Sequence, residues 1–156
     1  MIEIDDAGFE FPNEESKWIW ISGIIDAESS LEMARSKSRT KRGYRWIPRM
    51  ACSSTTIALL LQLKRASNPY GNISSHHHQD KRDGKWNKVS KFTLFSNGLR
   101  YILPKVLPYL VVKKVQATLL LRVLELLTKG PKPSEVESEL ESIWLQIRGL
   151  NKKVKI

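Results

Sequence analysis

The chain has 156 residues, 41% hydrophobic and 27% charged, which suits one globular domain burying roughly 68–70% of its unfolded surface rather than a disordered chain. A single cysteine, Cys52, excludes an internal disulfide and a cysteine zinc cluster; apolar runs such as Ile57 to Leu61 are too short to span a bilayer, and the acidic start (Glu3, Asp5, Asp6) is unlike a signal peptide. With no signal peptide read, the protein is expected to be intracellular rather than secreted. Lys and Arg total 26 against 16 acids, a formal net charge of +10 that points to a polyanionic partner, nucleic acid being the commonest.

Residues 1–12 read as an acidic N-terminal extension, and 13–156 as a single domain with C-terminal helices from about 113. Asn13 is a good helix N-cap, Glu14 and Glu15 suit the positive end of the dipole, and apolar residues follow through Ile25. Trp18, Ile19, Trp20, Ile21, Ile24 and Ile25 make this helix apolar nearly all round, so it is expected to be buried on most sides. Gly23 costs about 1 kcal/mol against alanine in a helix interior, so a close backbone approach is expected there. Leu31, Met33 and Arg35 then alternate with Glu32, Ala34 and Ser36, as in a strand. Lys41 to Gly43 reads as a turn. Tyr44 to Cys52 alternates again, with Trp46, Pro48, Met50 and Cys52 on one face and Arg45, Ile47, Arg49 and Ala51 on the other.

Ser53 or Ser54 is the expected cap of a second helix, Thr55 to Ala66. After Pro69-Tyr70-Gly71, Asn72 to Gln79 and Trp86 to Phe95 form a second hairpin around Asp83-Gly84. Asn97 caps a short helix to about Leu107. A longer apolar helix runs from about Lys113 to Leu127 and stops at Gly130-Pro131. Ser134-Glu135-Val136-Glu137 is a capping box for a last helix to about Leu150, and a basic tail follows.

Two hairpins and several helices predict an α+β fold: one four-stranded antiparallel sheet, with helices on one face and a basic face on the other. Such a sheet can lie in the major groove of double-stranded DNA. Arg35 to Arg49 holds seven bases and no acid, Arg39 and Arg42 among them. The alternation assigns Glu32, Ser36, Ser38, Arg45, Arg49, Asn72, Ser74, His76, His78, Lys91 and Thr93 to the outer, DNA-binding face. Three consecutive histidines, His76 to His78, cannot all face one metal from a strand, so they read as DNA contacts rather than a zinc site. Trp18, Trp20, Trp46 and Trp144 read as core or interface.

At the end of the first helix stands Ile21-Ser22-Gly23-Ile24-Ile25-Asp26-Ala27-Glu28-Ser29. It resembles the nine-residue signature of the LAGLIDADG homing endonucleases. Gly23, Asp26 and Ala27 are identical to it, Ile21, Ile24 and Ile25 are conservative, Ser22 replaces alanine, and Glu28 replaces an aspartate. Ser29 stands where the signature closes with glycine, the cheap residue for a left-handed exit. The resemblance extends over nearly the whole chain. Pro48-Arg49-Met50, running into Ser53 and a leucine-rich helix, resembles the family's second strand and following helix. Leu107-Pro108-Tyr109-Leu110, then Lys113 and Gln116-Ala117, resembles the segment carrying its active-site lysine; Ser53-Ser54 stand where many members place a glutamine.

Gly23 and Ala27 share a helix face, so two such helices can pack about a two-fold axis, with Gly23, Ile24, Asp26 and Ala27 at the dimer interface. That brings two Glu28 carboxylates together, a pairing that divalent cations would relieve. The resemblance implies a homodimeric, metal-dependent endonuclease that cuts both strands of a long, near-palindromic site across the minor groove. It implies Glu28 and the Ala27 carbonyl as metal ligands, Glu28 and Lys113 as catalytic residues, and an intron or intein origin. Mg²⁺ is the expected cofactor, with Mn²⁺ a substitute and Ca²⁺ binding without supporting cleavage. The alternative is a non-cleaving binder on a degenerate form of the fold, an RNA-gripping intron maturase or a transcription regulator; a third possibility is half of a larger heteromeric assembly.

Overall fold

The computed structural model describes residues 10–37, 44–127 and 132–152. The expected turn at Lys41 to Gly43, the stop at Gly130-Pro131 and the DNA-binding positions Ser38, Arg39 and Arg42 lie outside the described residues.

Helix α1 spans Glu14–Glu28, and the Asn13 side chain accepts the Ser16 N–H at 2.8 Å, which satisfies one of the orphan amides of its first turn. It buries Trp18, Ile21, Ser22, Ile24 and Ile25. Contrary to burial on most sides, a stripe at four-residue spacing (Ile19, Gly23, Ala27) stays exposed. Nothing in the described chain lies within 4 Å of the point where Gly23 would carry a Cβ, so the close approach expected there does not come from this chain's own fold.

Strands β1 (Ser29–Lys37) and β2 (Tyr44–Ser54) pair antiparallel, as do β3 (Asn72–Gln79) and β4 (Trp86–Leu94). The curved sheet has the order β1-β2-β4-β3, and the hairpins join only where Met50–Ser54 meets Ser90–Leu94. Because that central pairing is antiparallel, the hairpins extend from the seam in opposite directions. The helices α2 (Ile57–Ser67), α3 (Ser96–Val106), α4 (Lys114–Leu126) and α5 (Ser134–Leu150) pack with α1 against the sheet. Leu31, Met33, Met50, Cys52, Phe92 and Leu94 point into the core they share.

Several helix starts differ from the sequence expectation. Ser54 does not cap α2; its hydroxyl accepts the Thr56 N–H at 2.9 Å and closes a turn before Ile57. Helix α3 begins at Ser96, ahead of Asn97, whose side chain accepts from Arg100 instead. Ser134 is the first helical residue of α5 rather than its cap, because Pro133 takes the capping position. At Gly71 the backbone is left-handed (φ +86), and a Cβ there would collide with the edge of the Phe92 ring, so both conformation and space require glycine. Among the described residues no helix is long and apolar enough to cross a membrane.

Candidate active site

The chain leaves α1 without a left-handed turn. Ser29 has φ −100 and ψ 155, extended backbone that any residue adopts, and its N–H closes on the Ile25 carbonyl. The closing glycine of the signature is therefore not needed for this exit. The Ser29 side chain points inward, where its buried hydroxyl has no nitrogen or oxygen partner and faces Cys52, its register partner on β2. Burial pushes the Cys52 thiol up, so it stays neutral beneath the site.

A reciprocal latch fixes the end of α1. The Asp26 carboxylate accepts the Val111 N–H at 2.8 Å and the Lys113 N–H at 2.9 Å. In return the Lys113 ammonium donates to the carbonyls of Ile25 (2.9 Å) and Asp26 (2.6 Å). Burial opposes ionisation of Asp26, but the N–H groups of Val111, Lys113 and Val112 more than offset it and hold the carboxyl below its ordinary value. Lys113 is pulled below its ordinary value by burial, against the charges of Asp26 and Glu28. Helix α4 begins one residue after Lys113, so its backbone sits at a positive dipole end while its amine reaches the negative end of α1.

This geometry sorts the four residues expected at the interface. Asp26 is committed to its own chain's latch, and Ile24 is 7% exposed within its own core. Gly23 and Ala27 remain on the open stripe. Val111 and Val112, 83% and 69% exposed, flank that end of the helix.

Glu28 is exposed beside the latch and makes no hydrogen bond or ion pair among the described residues, though its charge is felt by Lys113 and Cys52. Its carboxylate and the neighbouring last-turn carbonyl of Ala27 are hard oxygen donors, the kind Mg²⁺ takes alongside phosphate oxygens and water. Among the described residues no three His, Cys, Asp or Glu side chains converge, and Asp26 is committed to the latch, so Glu28 is the carboxylate left for a cation at this helix end. The donor set fits a cation shared with phosphate or a second copy.

Register places the outer-face residues in rows. Ser30, Ala51, Thr93 and Asn72 align across all four strands; Ser53, Lys91 and Ser74 form the next row, beside the helix end that carries Glu28. Along the first hairpin, Glu32 opposes Arg49 and Ser36 opposes Arg45; along the second, His76 opposes Val89 and His78 opposes Asn87. All ten described DNA-binding candidates thus share the face away from the helices. Three of the seven described outward positions not picked out from sequence, Ser30, Ser53 and Asn87, are polar; the period of two running back from Thr93 through Lys91 reaches Asn87. Arg35 has the other parity: its guanidinium lies 4.1 Å from the Tyr44 ring and 3.8 Å from Trp144, and it pairs with Glu141 of α5 at 3.2 Å. That member of the basic run fastens α5 to the sheet.

The same arrangement of sheet and helices occurs in solved structures. I-CvuI in complex with its target superposes with a TM-score of 0.73 at 22% identity over 91% of this chain and 86% of that one. Archaeal intron-encoded I-Vdi141I complexed with DNA gives 0.75 at 19% identity, over 92% and 89%. The fold is that of the LAGLIDADG homing endonucleases. Against I-SmaMI, bound to uncleaved DNA with calcium, the TM-score is 0.68 at 23% identity, and this chain spans 46% of that LAGLIDADG protein. No protein-family model matches the sequence, and no curated protein matches it. Within the LAGLIDADG fold, Lys113 was legible from its sequence neighbours, whereas its carbonyl partners were not, since they lie 87 and 88 residues away.

Proposed function

We propose that the protein is a site-specific DNA endonuclease that works as a homodimer on a long, near-palindromic duplex, using divalent metal ions. One observation carries the reading: Glu28, the Ala27 carbonyl and the latched Lys113 amine gather at one helix end, beside a sheet face lined with Arg45, Arg49, Lys91, His76 and His78. I-CvuI and I-Vdi141I, which have this fold, are seen bound to DNA, one I-CvuI complex in the presence of Mg with its DNA not cleaved.

The outer face binds the groove. Its cations neutralise phosphates, and its alternating side chains meet base edges. The open stripe of α1 packs on its copy, so that two Glu28 carboxylates meet at the duplex centre and each chain serves one strand. Mg²⁺ or Mn²⁺ held by Glu28 and the Ala27 carbonyl would lower the pKa of a bound water and stabilise the departing oxygen; Ca²⁺ would bind there without supporting turnover. Lys113, held rigid by two carbonyls, orients its remaining N–H toward the phosphate or the water. Asp26 keeps that amine in place.

The test is cleavage of a randomised plasmid library by the purified protein in Mg²⁺. A double-strand break at a two-fold symmetric sequence is the expected result. A sequence that is bound tightly and never cut would instead support the non-cleaving binder.

A further inference from the structure

Among the described residues the outer face carries one acid, Glu32, on a surface that otherwise suits a polyanion. It is matched across the strands: Arg49 Nε–H donates to Glu32 Oε1 at 2.9 Å, between direct register partners, and both side chains are about a third exposed (35% and 33%). A half-exposed ion pair of this kind stabilises a fold by about 0–1 kcal/mol at most, so stability alone accounts poorly for an acid in this place. Its geometric effect is larger. Arg49 commits Nε to Glu32, which fixes the plane of the guanidinium and leaves both terminal nitrogens free as a fork. That fork is the group that meets O6 and N7 of guanine in the major groove. The flanking outer-face residues, Ser30, Ala34, Ile47 and Ala51, are uncharged and offer Arg49 no competing carboxylate. Among the described residues, Arg45 and Lys91 on the same face make no ion pair and are free to follow phosphates.

We propose that Glu32 is a positioning residue that orients Arg49 for bidentate recognition of one guanine in each half-site. The proposal rests on the DNA-facing reading of the sheet and adds a base and a position to it. Glu32 lies four residues beyond Glu28, about 13 Å at the usual rise of a strand. Base pairs stack at about 3.4 Å, so the guanine belongs about four base pairs from the cut, once on each side of the two-fold axis.

Selection of bound sequences from a randomised duplex library, done in Ca²⁺ so that cleavage plays no part, tests this. The wild type should enrich guanine at one symmetric pair of positions. Arg49→Ala should lose about 5- to 100-fold of that preference and leave other positions unchanged. Glu32→Ala should lose the preference at the same positions while its affinity for random DNA rises, because a negative charge has left the face. Glu32→Gln, whose amide oxygen still accepts from Nε, should retain most of it, and the double variant should match Arg49→Ala alone. A change at a different position in Glu32→Ala, or a shift from cytosine there, would mean that Glu32 reads a base itself and would overturn the proposal. An unaltered preference in Glu32→Ala would overturn it too. Failure of the underlying reading looks different: the wild type enriches no sequence, Arg45→Ala leaves DNA affinity intact, and the proposal falls with it.

Discussion

Asp26 and Lys113 each hold the other's backbone, so a change in either is felt at both ends of the latch. In Asp26→Asn one oxygen still accepts, but the amide NH₂ then meets a backbone N–H donor, leaving that group unsatisfied. A loss of about 1–3 kcal/mol is expected. The loss should depend on pH with a definite sign. Asp26 titrates below its ordinary 3.8 in the folded chain, so the unfolded chain binds the proton first on acidification. Its contribution is complete above about pH 4 and fades as pH falls through the lower folded value. Urea titrations of wild type and Asp26→Asn at a series of pH values check this: the gap between the two should be full at neutral pH and narrow below about pH 4. A gap independent of pH would mean that the carboxylate's charge is not what the latch uses. The signature residues themselves were legible in the sequence, and so was Lys113. The division of labour between Asp26 and Glu28 along the chain was only half legible, because spacing places Asp26 at a helix end without showing which loop it meets.

Strands and hairpins followed from alternation, since a period of two leaves little freedom once one residue's face is known. Caps were harder. Asn13 behaves as read because its side chain has a free N–H three residues on; Ser54, Asn97 and Ser134 do not, since their hydroxyl or amide groups close turns or the helix starts a residue away. The stagger of the hairpins was not legible at all, because it depends on which residues of β2 and β4 meet across a long intervening sequence. At the hinge between α2 and β3, Gly71 combines a positive φ with the Phe92 ring packed against it. Gly71→Ala should cost about 1–3 kcal/mol, from a strained backbone and a side chain with no room. Thermal unfolding measures it. A neutral result would mean that the loop relaxes freely, and that Phe92 is not held as tightly as its complete burial indicates.

At the scale of the whole molecule, the open stripe of α1 is where the proposed assembly is tested. A side chain at Gly23 meets nothing in its own chain, so Gly23→Leu should leave the monomer fold intact and raise its helix stability by up to about 1 kcal/mol. If the stripe is the dimer contact, the same change should abolish the dimer by wedging two helices apart. Sedimentation with and without DNA, beside a melting curve, separates these effects. A variant that is both dimeric and stable would remove α1 from the interface. The central claim is chemical, and Glu28 tests it most directly, because it is exposed, is tied to no other residue by a hydrogen bond or ion pair among those described, and is replaceable without disturbing the core. The measurement is Mg²⁺-dependent nicking and double-strand cleavage of a confirmed target by wild type and by Glu28→Gln, with DNA affinity and dimerisation followed in parallel. The account predicts that cleavage by Glu28→Gln falls by several orders of magnitude, about 10³-fold or more, as expected when a group that stabilises transition-state charge is lost, while binding and assembly persist. Comparable cleavage rates for the two proteins would contradict it.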